Sequence, residues 1–133
     1  MERPRLEGII AATVLPMRPD FTPDERALRA YLEWLLAEGV HGLAVNVDTG
    51  EGPHLSREEA LKVLAIAVET AAGRVPVVAG LGPAWTDEAV AAARAFRGAG
   101  ADALLVFPSP IFRGRPLPPE IPVGYYRDRK SVV

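Results

Sequence analysis

The residue types best suited to chemistry fall within one short stretch, Asn46-Val47-Asp48-Thr49-Gly50-Glu51-Gly52. Thr49 offers a hydroxyl, Gly50 lets the backbone approach a ligand closely, and adjacent N–H groups in such a turn can cradle a carboxylate. A solvated turn leading to a helix cap has the same composition, so residue chemistry alone leaves both readings open. Gly80-Leu81-Gly82 begins like a phosphate loop, but Trp85 stands where the third glycine of G-x-G-x-x-G belongs. No Walker lysine follows a glycine-rich turn, which argues against a nucleotide site. His41 and His54 lie outside metal-ligand spacing and read as surface or loop histidines. The chain has no cysteine, which excludes disulfides, thiolate zinc sites and cysteine nucleophiles. Lysine is scarce: of 15 basic residues only Lys62 and Lys130 are lysines. Schiff-base chemistry therefore has few candidates. Of the aromatics, Trp85 in a strand-to-helix loop is a candidate lining residue, whereas Trp34 and the Tyr125-Tyr126 pair read as packing. Asp102, beside a strand start, reads as structural.

These residues need elements to hold them, and the chain alternates short β-like runs with longer helix-like ones. Strands are predicted over Gly8–Val14, Gly42–Val47, Val75–Gly80 and Ala103–Phe107. Comparable positions Ile9, Leu43, Val77 and Ala103 are 34, 34 and 26 residues apart. The runs are almost continuously apolar, as expected of a parallel sheet covered on both faces. Between them, Thr22-Pro23-Asp24-Glu25 reads as a capping box opening a helix with an apolar stripe at Leu28, Tyr31, Leu32, Leu35 and Leu36, ending near Gly39. Ser56-Arg57-Glu58-Glu59 repeats that logic for a second helix, whose predicted inner face is Leu61, Leu64, Ala65 and Val68. A third is expected to start at a Thr86 cap and to turn Val90, Ala93 and the Arg97 stem inward. Beyond Phe107, the segment PSPIFRGRPLPPEIP holds six prolines in fifteen residues and reads as an irregular, stiff loop. A short final helix is expected over Val123–Lys130, with no fifth strand. The fold class is α/β, in four tandem βα units with right-handed crossovers. In such folds ligands bind where strands end and helices begin, which is where the Asn46–Gly52 stretch falls.

Bulk properties narrow the function classes. The chain has 133 residues, 49% of them hydrophobic, and a net charge of −2. That balance removes a sequence-wide electrostatic case for nucleic acid or an acidic membrane. No apolar run approaches the ~20 residues that span a bilayer. The opening MERPRLEG makes a poor signal peptide, so a soluble cytoplasmic protein is expected.

At the residue level the sequence resembles the N-terminal part of the dihydrodipicolinate synthase/N-acetylneuraminate lyase family. GIIAATVLPM is similar to that family's first strand, and VDTGEGPHLSREE at 47–59 to its signature G-T-T-G-E-x-x-x-L-x-x-x-E. GRVPVVAGLG at 73–82 and GAGADALLVFPSP at 98–110 match its third and fourth strand regions in the same order. The resemblance implies that residues 1–133 form the N-terminal half of a TIM (β/α)8 barrel, truncated at the C-terminus, since complete barrels run to ~250 residues. It implies class I aldolase chemistry, with a Schiff-base lysine, a proton-shuttling tyrosine and a small 2-oxo acid substrate, and with no cofactor or metal. Carried over residue by residue, Thr49 and Gly50 receive the substrate carboxylate, Ala12 lines the pocket floor, and Glu51 organises the loop. Asp48 stands where the signature has threonine, placing a carboxylate beside the substrate's own. Ser109-Pro110 replaces an aromatic pair, unless the register slips to Ile111-Phe112. The family's lysine and tyrosine belong to later strands, so no catalytic residue is expected within this chain.

Two functional readings follow from these features. One is a Schiff-base lyase of this family, inactive as this chain alone. The other is a non-catalytic half-barrel that works as an interaction or assembly piece; under either reading self-association or a homo-oligomer is expected, because open sheet edges and an uncovered apolar face promote association.

Overall fold

The computed structural model describes residues 5–82, 85–114 and 116–130. The readings placed on the first four residues, on 83–84 and on the last three lie outside these. Four strands, β1 (Ile10–Ala12), β2 (Gly42–Val45), β3 (Val77–Leu81) and β4 (Ala103–Val106), form one parallel sheet in the order β1-β2-β3-β4. The register pairs Ala12 with Ala44, Ala44 with Val78 and Val78 with Ala103. Helices α1 (Glu25–Ala37), α2 (Arg57–Ala71) and α3 (Thr86–Gly98) make the crossovers, and α4 (Glu120–Lys130) follows β4. Four βα units are thus present in the expected order. The strands are shorter than the apolar runs suggested, most of all β1, with three residues against seven expected.

The apolar runs have a different cause from the one expected of them. Helices cover one face of the sheet only. Leu43, Val45, Val77, Ala79 and Leu81 turn to that side and pack with Leu28, Leu32, Leu64, Ala67, Ala93 and Phe96. The opposite face carries Ile10, Ala44, Val78, Ala103 and Phe107 as a smaller cluster. Ala12 and Leu105 on that side remain exposed.

Side-chain hydrogen bonds decide where the helices start. Thr22 does not cap α1. Its N–H and hydroxyl donate instead to Asp20 at 3.1 and 2.6 Å, which holds the Asp20 carboxyl below its ordinary range. The cap is Asp24, which accepts from the Ala27 N–H at 3.0 Å. At α2 the expected box forms in full: the Ser56 hydroxyl accepts from Glu59 N–H, and Glu59 accepts from Ser56 N–H. Thr86 is the first residue of α3 rather than its cap; Trp85 holds the cap position without a side-chain bond. The inner faces of two helices are rotated from expectation. α2 buries Ala60, Val63, Ile66, Ala67 and Ala71 with Leu64, and α3 buries Ala89, Ala92, Ala93 and Phe96 while Arg97 is exposed. Both helices are rich in alanine, so a stripe of large residues was a poor guide to the side that meets the sheet.

α4 begins three residues earlier than predicted. Pro122 falls in its first turn, where no intrahelical N–H bond is lost. Tyr125 is buried and meets Phe112 and Tyr126 edge-on, each at 5.3 Å between centroids. The tyrosine pair is therefore packing, as its setting suggested. Asp102 is structural too, accepting the Val77 N–H at 2.8 Å and closing the start of β3.

Candidate functional site

The strand ends converge on the segment after β2. Asn46 leaves the strand in the left-handed region at φ 57°, which asparagine tolerates better than most residues. Its carbonyl is packed so closely that a Cβ at Gly52 or at Gly80 would collide with it. Those two glycines therefore let β2, its following loop and β3 meet. The Asn46 side chain is buried and donates from Nδ2 to the Ala60 carbonyl at 2.9 Å, tying the loop to α2. Its Oδ1 is buried with no hydrogen-bond partner among the described residues.

From that anchor Asp48–Gly50 and Gly52–His54 form two successive 3-10 turns. The N–H groups of Gly50 and Gly52 both turn inward to the Val47 carbonyl at 3.0 Å, and that of Glu51 goes to Asp48 at 3.2 Å. The expected cradle is thereby narrowed to the Asp48 and Thr49 N–H groups, which have no partner among the described residues. Gly50 is buried, and a Cβ there would sit 3.0 Å from the Thr13 carbonyl. Thr49 donates its hydroxyl to that same carbonyl at 3.0 Å. Thr13, itself buried at the end of β1, donates to Ala44 through both its N–H and its hydroxyl. A continuous hydrogen-bonded path therefore joins β2, β1 and the 49–50 turn. Sequence reasoning did not single out Thr13; a threonine closing an apolar strand was its only trace.

The remaining expected residues fall around this junction. Ala12 ends β1 on the open inner face, one residue before Thr13. Asp48 is exposed beside Thr49. Glu51, in the left-handed region at φ 59°, pairs with the His54 ring at 2.9 Å and so holds its own loop. An open cavity of about 690 Å³ lies over the ends of β2–β4, reached by Asn46, Asp48, Gly80, Glu88, Phe107 and Arg113. Trp85, 62% exposed, does not line it. Ser109 is fully buried at the end of β4; Ile111 is exposed and Phe112 is turned to Tyr125. His41 accepts the Ile9 N–H at 3.0 Å on its Nδ1, a structural role at the opposite end of the sheet. Among the described residues no cluster of three or more histidine or acidic side chains could hold a metal, and no helix is long and apolar enough to cross a membrane.

Neither lysine stands at a strand end. Lys62 lies on the outer side of α2, paired with Glu25 at 2.6 Å, which lowers the Glu25 carboxyl pKa. Lys130 falls at the end of α4.

Comparison with known proteins points one way. The sequence model of the dihydrodipicolinate synthetase family matches residues 5–113. The chain is 46% identical over 100 residues to 4-hydroxy-tetrahydrodipicolinate synthase of Agrobacterium fabrum strain C58, covering 75% of this chain and 34% of that protein. It is also 46% identical over 101 residues to the enzyme of the same name from Brucella abortus, covering 76% and 34%. The chain thus spans about a third of the length of these curated relatives. Among solved structures, the chloride-inhibited dihydrodipicolinate synthase from Acinetobacter baumannii, complexed with pyruvate, superposes with a TM-score of 0.89 at 31% identity over 97% of this chain and 43% of its own. Dihydrodipicolinate synthase from Aquifex aeolicus gives 0.80 at 34% identity, covering 96% and 41%. The four βα units match the N-terminal part of that TIM-barrel fold.

Proposed function

The chain belongs to the dihydrodipicolinate synthetase family, and from that premise we propose that it carries the substrate-carboxylate end of a Schiff-base lyase site for a 2-oxo acid, without the nucleophile. The observation that carries this reading is the Thr49–Thr13 bond. It draws the β2 turn over the end of β1 and leaves the Asp48 and Thr49 N–H groups open to an anion. Ala12 supplies a small apolar floor beside them. Glu51 shapes the loop through His54 and takes no part in chemistry.

Asp48 modifies the preference of this site. It is exposed and close to where the ligand carboxylate would rest, and two like charges there oppose binding. Pyruvate therefore binds weakly, and Asp48→Thr strengthens it by about tenfold, the equivalent of removing ~1.4 kcal/mol of repulsion. A titration of the amide spectrum with pyruvate tests this. The Asp48 and Thr49 resonances should shift in both proteins and saturate at lower ligand in Asp48→Thr. Unmoved resonances in both would remove the carboxylate site from this loop.

A second reading, assembly of the half-barrel through its open sides, is favoured by the exposed inner-face residues Ala12 and Leu105.

A further inference from the structure

One side chain fastens the end of β2 to the first turn of α2 across the loop between them. We propose that Asn46 is a positioning residue of the carboxylate site, its amide holding the 47–50 turn so that the Asp48 and Thr49 N–H groups face the ligand. This rests on the carboxylate reading above and gives that site a residue that precedes the signature at 47–59.

The inference starts from the direction of two peptide groups. A trans peptide points its C=O and its N–H opposite ways. The Val47 carbonyl shares a peptide with the Asp48 N–H, and it is turned inward to the Gly50 and Gly52 N–H groups at 3.0 Å. The Asp48 carbonyl shares a peptide with the Thr49 N–H, and it is turned to the Glu51 N–H at 3.2 Å. Each inward carbonyl therefore directs one N–H to the ligand side. Both directions follow from where the chain enters the turn, and it enters at Asn46, in the left-handed region at φ 57°. Were residue 46 to leave that region, the Val47 carbonyl would swing away from its partners and take the Asp48 N–H with it.

The Asn46 amide holds that entry. Nδ2 donates to the Ala60 carbonyl at 2.9 Å across 14 residues of sequence, and the residue is only 5% exposed, so little water competes for the bond. Ala60 in turn donates its own N–H to the carbonyl of Ser56, the α2 cap, at 2.9 Å. The loop is thereby tied at its base to a capped helix and at Thr49 to the Thr13 carbonyl. Gly52 and Gly80 give the Asn46 carbonyl room. The amide gives the residue its direction, because a hydrogen bond is directional where contact is not. A turn held at both ends loses less freedom when a ligand binds, which is how a buried side chain that need not touch the ligand raises affinity.

The test is a pyruvate titration followed by the Thr49 amide resonance, with the Asp48→Thr chain as parent so that the neighbouring carboxylate is gone. Asn46→Gly keeps the left-handed backbone accessible and deletes the amide. It should raise half-saturating pyruvate by about tenfold with unchanged circular dichroism. Asn46→Asp keeps the size but can donate to Ala60 only when protonated, the form that burial beside a carbonyl favours. Its half-saturation should lie about tenfold above the parent's near pH 8 and within about twofold of it near pH 5. The other ionisable side chains lining the same cavity, His54, Arg57, Glu88 and Arg113, are common to the parent, whose own titration sets the baseline at each pH. A merely structural role would lower the unfolding midpoint of both variants and leave half-saturation at the parent's value, which would overturn the proposal. A pH profile of Asn46→Asp parallel to the parent's would overturn it too. Should a variant fail to fold, the parent decides. Its Asn46 side-chain amide protons should exchange slowly and shift in step with Thr49 as pyruvate saturates. Unmoved Asn46 protons beside a shifting Thr49 would overturn the proposal and leave the carboxylate site standing. A Thr49 resonance unmoved by pyruvate in the parent would remove the carboxylate site itself, and this role of Asn46 with it.

Discussion

Asn46 shows how much of the site depends on backbone that side-chain chemistry does not announce. Its carbonyl lies where a Cβ on Gly80 would be, and the contact is with backbone on both sides, so neither partner can yield by a rotamer change. Gly80→Ala should therefore cost about 3 kcal/mol or more in denaturant unfolding, well above an ordinary glycine-to-alanine change in a strand. A cost below about 1 kcal/mol would mean that the β2–β3 junction is loose. At this scale the sequence announced Thr49, Gly50, Asp48 and Glu51, because a family signature and a turn composition coincide there. It gave Asn46 only as the first residue of that stretch and did not announce Thr13. Their roles arise from a left-handed turn and a carbonyl shared across β1, β2 and the loop, and these exist only once the strands are in register.

Among the elements, order and type were legible, and boundaries and faces less so. Helical spacing, Ser56 and Glu59, and Gly39 placed α1 and α2 closely, since each is a local signal. Thr22 misled because Asp20, two residues earlier, takes both its N–H and its hydroxyl. The inner faces of α2 and α3 misled because alanine, which gives no size contrast, supplies three of the seven buried residues of α2 and three of the four of α3. The Ser56 box gives a test with a defined sign. Its N–H and hydroxyl lower the folded pKa of Glu59 below the ordinary 4.5. Glu59 therefore stabilises the fold above that ordinary value, and its contribution is lost as pH falls through the lowered one. Ser56→Ala should cost about 1 kcal/mol at neutral pH. Glu59→Gln should unfold with a shallower dependence on pH below 4.5 than the unsubstituted chain. Equal acid dependence in the two would show that the carboxylate is not held by the cap.

For the whole molecule, an α/β chain of four βα units was readable from periodicity, and the TIM-barrel relationship from motif order. What periodicity could not reveal is that only one face is covered. A strand under helices and a strand lining a barrel interior are both continuously apolar, and the distinction appears only when Leu43 and Val45 are seen packing with helices while Ala12 and Leu105 lie exposed on the opposite, inner face. The same arrangement places the Asp48–Gly50 turn at one end of the sheet and leaves Lys62 on the outer side of α2. The most direct measurement is borohydride reduction of the 133-residue chain in the presence of pyruvate, read by intact mass and peptide mapping. An unchanged mass is expected, because Lys62 lies on the outer side of α2 and position 130 at the end of α4, neither at a strand end. A stable reduced adduct on Lys62 or Lys130 would contradict the account.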